Sequence, residues 1–358
     1  MSDNNLRGED FFMNSYEIAK LAGVSVMTVS RVINESPNVA ENTKKKVQEI
    51  IDKYGYTPNP MARNLAGKNS NVIGLYLADI NSDEKNNIPS YEAPYFLSFI
   101  SSIIGYANKH NHKILVNIIN DENQFQDMRQ DFKNRAISGG IFLGFENGTP
   151  LISKLAEENF KMVLLDQDPN LFKDNNNLIF ADIDDEEAAY NIVKYLVENG
   201  HKKIAHIRHT TKRLSSIYRY KGYFRSLQEN DAEINLNYVA IGKGTENGSY
   251  NAMLEIINNS KGNLPTAVFA GTDLMASYAI KAIQDSGLRV PEDISVVGYD
   301  DTYLAKYSNP SITSVHVPIN EISEFAVENL INMVNGVPYE KERKFHTDLI
   351  IRDSSKKI

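Results

Sequence analysis

A chain of 358 residues with 42% hydrophobic side chains can bury two or three separate cores, and its net charge of −8 argues at first sight against a polyanionic partner. Cysteine is absent, which excludes disulfides, thiolate zinc sites and cysteine nucleophiles and fits a reducing compartment. The opening MSDNNLRGEDFF has no apolar run of signal-peptide type, and the longest apolar stretches, such as VIGLYLA, fall far short of a membrane span, so a cytoplasmic protein with a disordered tail over 1–12 is expected.

Along the chain the charge divides unevenly. Residues 13–68 carry eight basic and five acidic side chains, a net of +3, while 1–12 contribute −2 and leave −9 on 69–358. A small basic head on a large acidic body suits a protein whose head meets a polyanion. In the head, Asn14 with Glu17 three residues later is a capping-box start, and Ile18, Ala19 and Ala22 keep helical spacing up to Gly23. Ser25 caps a second helix, VMTVSRVIN, with Val29, Val32 and Ile33 inward and Val26, Met27, Ser30 and Arg31 outward. A third helix over 41–54 buries Val47, Ile50 and Ile51 and leaves Lys44 to Lys46 in solvent. Helix, glycine turn, helix is the helix-turn-helix pattern, although AGVS alone fits an ordinary three-helix bundle equally well.

The wider pattern is more specific. YEIAKLAGVSVMTVSRVIN, followed by VAENTKKKVQEIIDKYGYTPNPMARNLAGK, closely resembles the headpiece of the lactose/galactose repressor family of bacterial transcription regulators, without a gap. The resemblance implies a headpiece over 13–58 that binds double-stranded operator DNA. Val26 and Met27 take its main base-reading positions, Arg31 its guanine contact, and Thr28, Ser30 and Asn34 its phosphate and backbone contacts, with the cap Ser25 beside them. Arginine can grip guanine O6 and N7 with two hydrogen bonds, whereas Val and Met offer only apolar contact to thymine methyls.

NPMARNLAGK, residues 59–68, has Met61 and Leu65 on a short face among polar neighbours. An isolated helix of about ten residues is unstable in water, so this one needs a partner. The resemblance makes 59–69 a hinge helix that pairs with its dimer mate in the minor groove, with Leu65 as a wedge in the central base step and Asn59 and Ala62 matching the same pattern.

From 70 onward apolar strands alternate with helical segments, and the order restarts at LIFADI, which reads as two doubly wound parallel-sheet lobes with ligands at the carboxyl ends of the strands. GHKKIAHI, PTAVFAGTDLMASYAIKAIQDSGLRVPEDISVVGYDD and NPSITSV resemble the family's effector-binding core, which has the periplasmic-binding-protein fold. By that resemblance the body is 70–358. One lobe takes about 70–179 and 313–336, the other 180–312 and 337–352, and crossings fall near Phe180, Thr313 and Gly336. Tyr95, Phe96, Asp166, Arg219, Thr272 and Asp300 match the family's small-molecule positions, and an Arg219/Asp300 pair is expected to need ligand or water. Thr272 departs from the family's usual asparagine and shortens the reach into the site.

Other polar groups read as structural. Asp301 is a structural residue, His316 a packed crossover residue, the run Asp184 to Glu187 a solvated helix start, and GKGTENG a loop without phosphate-binding spacing. There is no catalytic triad order and no usable metal or cofactor spacing, so no enzyme activity, metal or cofactor is expected. The reading is a transcriptional repressor of a sugar-utilisation operon, released from a pseudo-palindromic operator by a small sugar. PSYEAPYFLSFI, after the polar NSDEKNNI, resembles galactose-type repressors and implies a galactoside or related sugar. The alternatives are a catabolite-control regulator driven by a protein corepressor and, in a different class, a sugar-binding protein or enzyme. The last expected strand, DLIIRD, is followed only by SSKKI, too short and polar for a tetramerising coiled coil, so a homodimer without membrane attachment is expected.

Overall fold

The computed structural model describes residues 13–33, 36–56, 70–78, 89–172, 175–209, 212–260 and 262–358, without the side chains of Ser90 and Glu122. The tail 1–12, Asn34, the expected hinge with Asn59, Ala62 and Leu65, and the insertion NSDEKNNI lie outside the described residues. Contacts divide the chain into two compact units, 1–70 and 71–358.

In the first unit, α1 (Ser15–Ala22) starts at the capping box: Asn14 Oδ1 accepts from the amides of Tyr16 and Glu17, and Glu17 Oε2 accepts from the Asn14 amide at 2.8 Å. It stops at Gly23, whose φ of 66° is the left-handed cap that glycine adopts without strain. After the turn, Ser25 Oγ accepts from the Thr28 amide at 3.1 Å and starts α2 (Val26–Ile33). α3 (Glu41–Tyr54) completes the unit. Ile18, Ala22, Val29 and Val47 are fully buried at the centre. Val26, expected to point outward, is half-buried and packs against this core, because a helix of eight residues on two neighbours covers more than one face.

In the second unit, one lobe carries the parallel sheet β2-β1-β3-β4-β5-β11, with β1 (Val72–Ala78), β2 (Lys113–Ile119), β3 (Gly139–Leu143), β4 (Met162–Leu165), β5 (Leu178–Ile183) and β11 (Glu342–Phe345). The other carries β7-β6-β8-β9, with β6 (Ile204–Arg208), β7 (Val239–Ile241), β8 (Ala267–Ala270) and β9 (Ser295–Val297). β10 (Ser314–His316) and β12 (Asp348–Ile350) form an antiparallel pair at the crossings. Helices α4 (Pro94–Lys109), α5 (Glu122–Lys133), α6 (Pro150–Glu157) and α12 (Ile319–Asn335) belong with the first sheet. α7 (Asp185–Glu198), α8 (Leu214–Glu229), α9 (Glu246–Asn259), α10 (Asp273–Asp285) and α11 (Tyr303–Tyr307) belong with the second. Near-continuous apolar runs such as IGLYLA and AVFA are buried on both faces, as parallel strands between helical layers require. On β1, Leu75 and Leu77 face Phe99 and Ile103 of α4 while Tyr76 stacks on Phe142 on the opposite face.

Two of the expected crossings lie elsewhere. LIFADI does not restart the order: it is β5, inside the first sheet between β4 and β11, and the chain leaves that lobe at Asp184 instead of near Phe180. α12 does end at Gly336, but the chain then returns to the first sheet as β11, pairing Glu342 with Phe180 through Phe345 with Ile183, and crosses only at 346–347. β11 is an edge strand of sequence ERKF with three exposed residues, so it lacks the apolar signature of a buried strand. The tail SSKKI is folded onto the second lobe: Ser354 is fully buried, its hydroxyl donates to Val296 O and accepts from the Thr313 amide, and the Ile358 amide donates to Asn199 O.

Candidate functional site

Both sheets share one ordering rule, in which the second strand of the lobe lies outside the first and the third lies on its other side. Loops leaving the first and third strands therefore part in opposite directions and open a crevice at their carboxyl ends. The crevices of the two lobes face each other. Between them lies a space of about 1180 Å³, open mouth included, enough for a small-molecule ligand.

All six residues singled out from the sequence line this space: Tyr95 and Phe96 from the first turn of α4, Asp166 after β4, Arg219 on α8, Thr272 after β8 and Asp300 after β9. Asp166 and Asp300 hold φ angles of 61° and 108°, unusual for residues other than glycine and of a kind found where the surroundings dictate a side chain's aim. Tyr95 meets Phe96 and Phe99 edge-on at 5.7 and 5.1 Å, building an aromatic wall.

Arg219 does not pair with Asp300. Its Nε donates to Asp185 Oδ1 at 2.7 Å, a terminal nitrogen donates to Gly271 O, and the guanidinium lies 3.6 Å from the centroid of the Tyr299 ring. Asp185, expected in a solvated helix start, is 5% exposed and sits in the wall of the cleft. The DDEE run gave no sign of this, because only the pairing of α7 with α8 turns that one carboxylate inward while Glu186 and Glu187 meet Arg225 outside. Asp300 keeps its carboxyl free of the arginine, and burial pushes it well above the usual carboxylate range against the opposing pull of Arg219.

Asp166 joins the lobes. Its two oxygens accept from the Ser215 amide at 2.6 Å and the Ser215 hydroxyl at 2.9 Å, at the N-terminus of α8, while its own amide donates to Asp182 Oδ1. Burial raises Asp166 to about 6 and Asp182 to about 8, in the latter case with Asp166 adding to the effect. For a carboxyl whose folded pKa lies above its unfolded value near 4, stability is fully present below that value and is lost as pH rises through the folded one. Thermal melts of the full chain are therefore expected to fall between pH about 4 and 8, and Asp182→Asn to flatten that decline. An unchanged slope in the variant would remove Asp182 as its source.

Thr272 lines the space but its hydroxyl caps α10, accepting from the Met275 amide at 3.1 Å. The neighbouring Asp273, 1% exposed, takes the Thr302 amide at 2.7 Å and the hydroxyls of Thr302 and Ser314, fixing the loop that presents Asp300. Asp301 lies outside the cleft between Arg352 and His316, whose Nδ1 is 2.9 Å away. His316 itself is exposed rather than packed. GKGTENG is not all loop: Thr245 Oγ1 accepts from the Gly248 amide and starts α9 at Glu246, and Gly244, with φ 74°, lies so close to the His209 ring that a Cβ would clash. Sequence reading missed Asp182, Asp185, Arg208, His209, Arg213 and Ser215. Their one signal was position: 208–209 end a strand, and 213–215 begin the helix that carries Arg219.

The headpiece presents a second surface. On α2, Met27 is 63% exposed and Arg31 projects into solvent, while Thr28 is half-buried with its hydroxyl 2.9 Å from Ser25 Oγ.

Comparison with known proteins bears on both surfaces. Residues 16–59 match the model of "Bacterial regulatory proteins, lacI family", and 193–355 match a periplasmic binding protein-like domain. The chain is 33% identical over 347 residues to the transcriptional regulator MalR of Clostridium butyricum, spanning 96% of this chain and 99% of the relative. It is 31% identical to the transcriptional repressor PurR of Histophilus somni over 96% of this chain and 98% of that one. Catabolite control protein A of Priestia megaterium is 31% identical over 89% of this chain and 92% of its own. Among solved structures, the Lac repressor dimer bound to operator and the anti-inducer ONPF superposes with a TM-score of 0.81 at 26% identity, covering 96% of this chain and 99% of that one. With a matching headpiece, a matching body and relatives that align from end to end, the chain belongs to the lacI family of bacterial regulatory proteins.

Proposed function

We propose that this regulator represses a catabolic operon as a homodimer on a pseudo-palindromic operator and lets go when a small sugar or sugar derivative settles between its lobes. The observation that carries the effector half is the convergence of Tyr95, Phe96, Asp166, Arg219, Thr272 and Asp300, spread over some 200 positions of sequence, on one interlobe space with aromatic and hydrogen-bonding walls. Such a wall suits a polyhydroxylated ligand, whose C–H face packs on a ring while its hydroxyls meet carboxylates. Asp166 on Ser215 ties the lobes at this space, so a ligand touching both sides changes their relative stability. By linkage, the ligand weakens DNA by the same factor by which DNA weakens the ligand.

The test is an operator titration with DNA from upstream of the chain's own gene, with and without candidate sugars. Release by one sugar, lost in Asp300→Ala, supports the reading. Operator affinity indifferent to every small molecule but raised by a second protein supports a catabolite-control regulator with a protein corepressor instead; the chain is similar to Catabolite control protein A.

On the DNA side, exposed Arg31 is the residue able to specify guanine. Arg31→Ala is expected to lose about 1–3 kcal/mol of discrimination at one base pair in each half-site. Gel-shift titrations against operators substituted at each position check it, and uniform weakening across all sequences would make Arg31 a phosphate contact.

A further inference from the structure

The interlobe space contains three guanidinium groups, and among the described residues only one of them is held in an ion pair. Arg219 has Asp185. Arg208, at the end of β6, rests on the Tyr220 ring at 4.0 Å, and Arg213, just before α8, lies over Phe96 at 5.6 Å. Among the described residues no carboxylate lies within ion-pair distance of either, and the Nε of each is shut off from solvent with no hydrogen-bond acceptor. A buried donor left unmatched is costly, more so when it carries charge. Two such groups in the wall of one cavity mark the place where a ligand supplies the acceptors.

The carboxyl groups of the same space do not fill that role. Asp185 is taken by Arg219, and both oxygens of Asp166 are taken by Ser215. Asp182 accepts from the Asp166 amide and, raised to about 8, is largely uncharged at neutral pH, while burial pushes Asp300 in the same direction. His206, held down at about 3 by burial, adds no charge, and because its one proton sits on Nδ1 toward Phe269 O, its unpartnered Nε2 is an acceptor suited to a ligand hydroxyl rather than to the anion. The cleft thus has a positive side, made by Arg208 and Arg213, that no ion pair closes and that only the more distant charges of Asp166 and Glu146 offset at Arg213, opposite its acidic and aromatic one.

We propose that Arg208 and Arg213 form an anion-binding corner of the effector cleft, and that the ligand is an acidic sugar derivative, carrying a carboxylate or a phosphate, rather than a neutral sugar. This rests on the effector reading above and sharpens it. Guanidinium groups suit both anions because their planar forks match two oxygens at once.

Calorimetric titration of the full chain with inorganic phosphate, at constant ionic strength, tests the corner without assuming any sugar. Saturable binding is expected, and its loss in Arg208→Gln/Arg213→Gln. Both side chains are only half-buried and neither holds an ion pair, so without ligand the double variant is expected to fold and to melt close to the wild-type temperature, which separates lost binding from lost folding. No saturable phosphate binding by wild type, or equal binding by the folded double variant, overturns the proposal. Glucose, glucuronate and glucose 6-phosphate then identify the source of the anion. One of the two acids is expected to bind at least about tenfold more tightly than glucose, the ratio one charge-assisted hydrogen bond supplies, and the variant to erase the difference. Glucose binding as tightly as both acids overturns the anionic ligand and leaves the effector cleft standing. Phosphate bound at the corner with no compound releasing operator supports the corner and counts against the effector reading.

Discussion

Arg219→Ala is expected to abolish the response to effector and to lower the stability of the body by about 3–5 kcal/mol, the cost of leaving one partner of a buried ion pair alone. Asp185, 5% exposed beside Arg219, would be left with no cation on its oxygens, and the Tyr299 face and Gly271 carbonyl would lose the group packed against them. Thermal or denaturant unfolding of the full chain reads the first effect and operator titration with effector the second. The two separate in the double variant Arg219→Met/Asp185→Leu, because replacing both partners by apolar side chains of similar size is close to neutral. That variant is expected to recover most of the lost stability and none of the effector response. If Arg219→Ala alone melts like wild type, Asp185 has another partner and the pair is not the device described here. If the double variant responds to effector normally, the pair is structural and the ligand lies elsewhere. Asp300→Ala, which breaks no ion pair, is expected to lose the response at a much smaller cost in stability.

The same residues show what was legible in the sequence. Several local signals were read correctly, since the Asn14/Glu17 box, Gly23 in the left-handed region and the apolar runs of β1, β3 and β8 all depend on neighbours within a few positions, although the equally local caps Thr245 and Thr272 were not. The cleft was half legible. Resemblance located Arg219 and Asp300, but which anion Arg219 holds depends on α7 packing on α8, and nothing in DDEE distinguishes Asp185, turned inward, from Glu186 and Glu187, turned outward onto Arg225. Arg208 and Arg213 were missed for a similar reason, since an arginine in a mixed polar stretch reads as surface until both flanking elements are placed. β11 failed differently. ERKF has no strand signature of its own and forms a strand because the β5 edge is open beside it, from Phe180 to Ile183. The lobe boundaries moved with it, since a return of four residues to the first sheet relocates the last crossing by about ten positions.

Leu65→Ala is the second change of large expected effect, and its argument comes from the sequence of 59–68. Met61 and Leu65 are four apart, so a helix there would place them on one face among Asn59, Arg63, Asn64 and Lys68, a stripe too narrow to anchor a helix of about ten residues in water. A leucine on such a segment gains most where an apolar partner is supplied from outside, and the space between two base pairs is one. A wedge there costs a few kcal/mol of unstacking and returns a kinked duplex that lies against more protein. Alanine is too short to hold the step open, so specific operator binding is expected to weaken by on the order of a few kcal/mol, a hundredfold or more in affinity. Non-specific binding, set by the basic headpiece and its phosphate contacts, is expected to change little. Body stability and effector binding are expected to be unaltered, since the substitution lies outside residues 71–358. Circular-permutation gel shifts read the bend and filter binding reads the affinity. A variant that bends operator and binds it as wild type does would show that Leu65 packs on protein and that another residue makes the wedge.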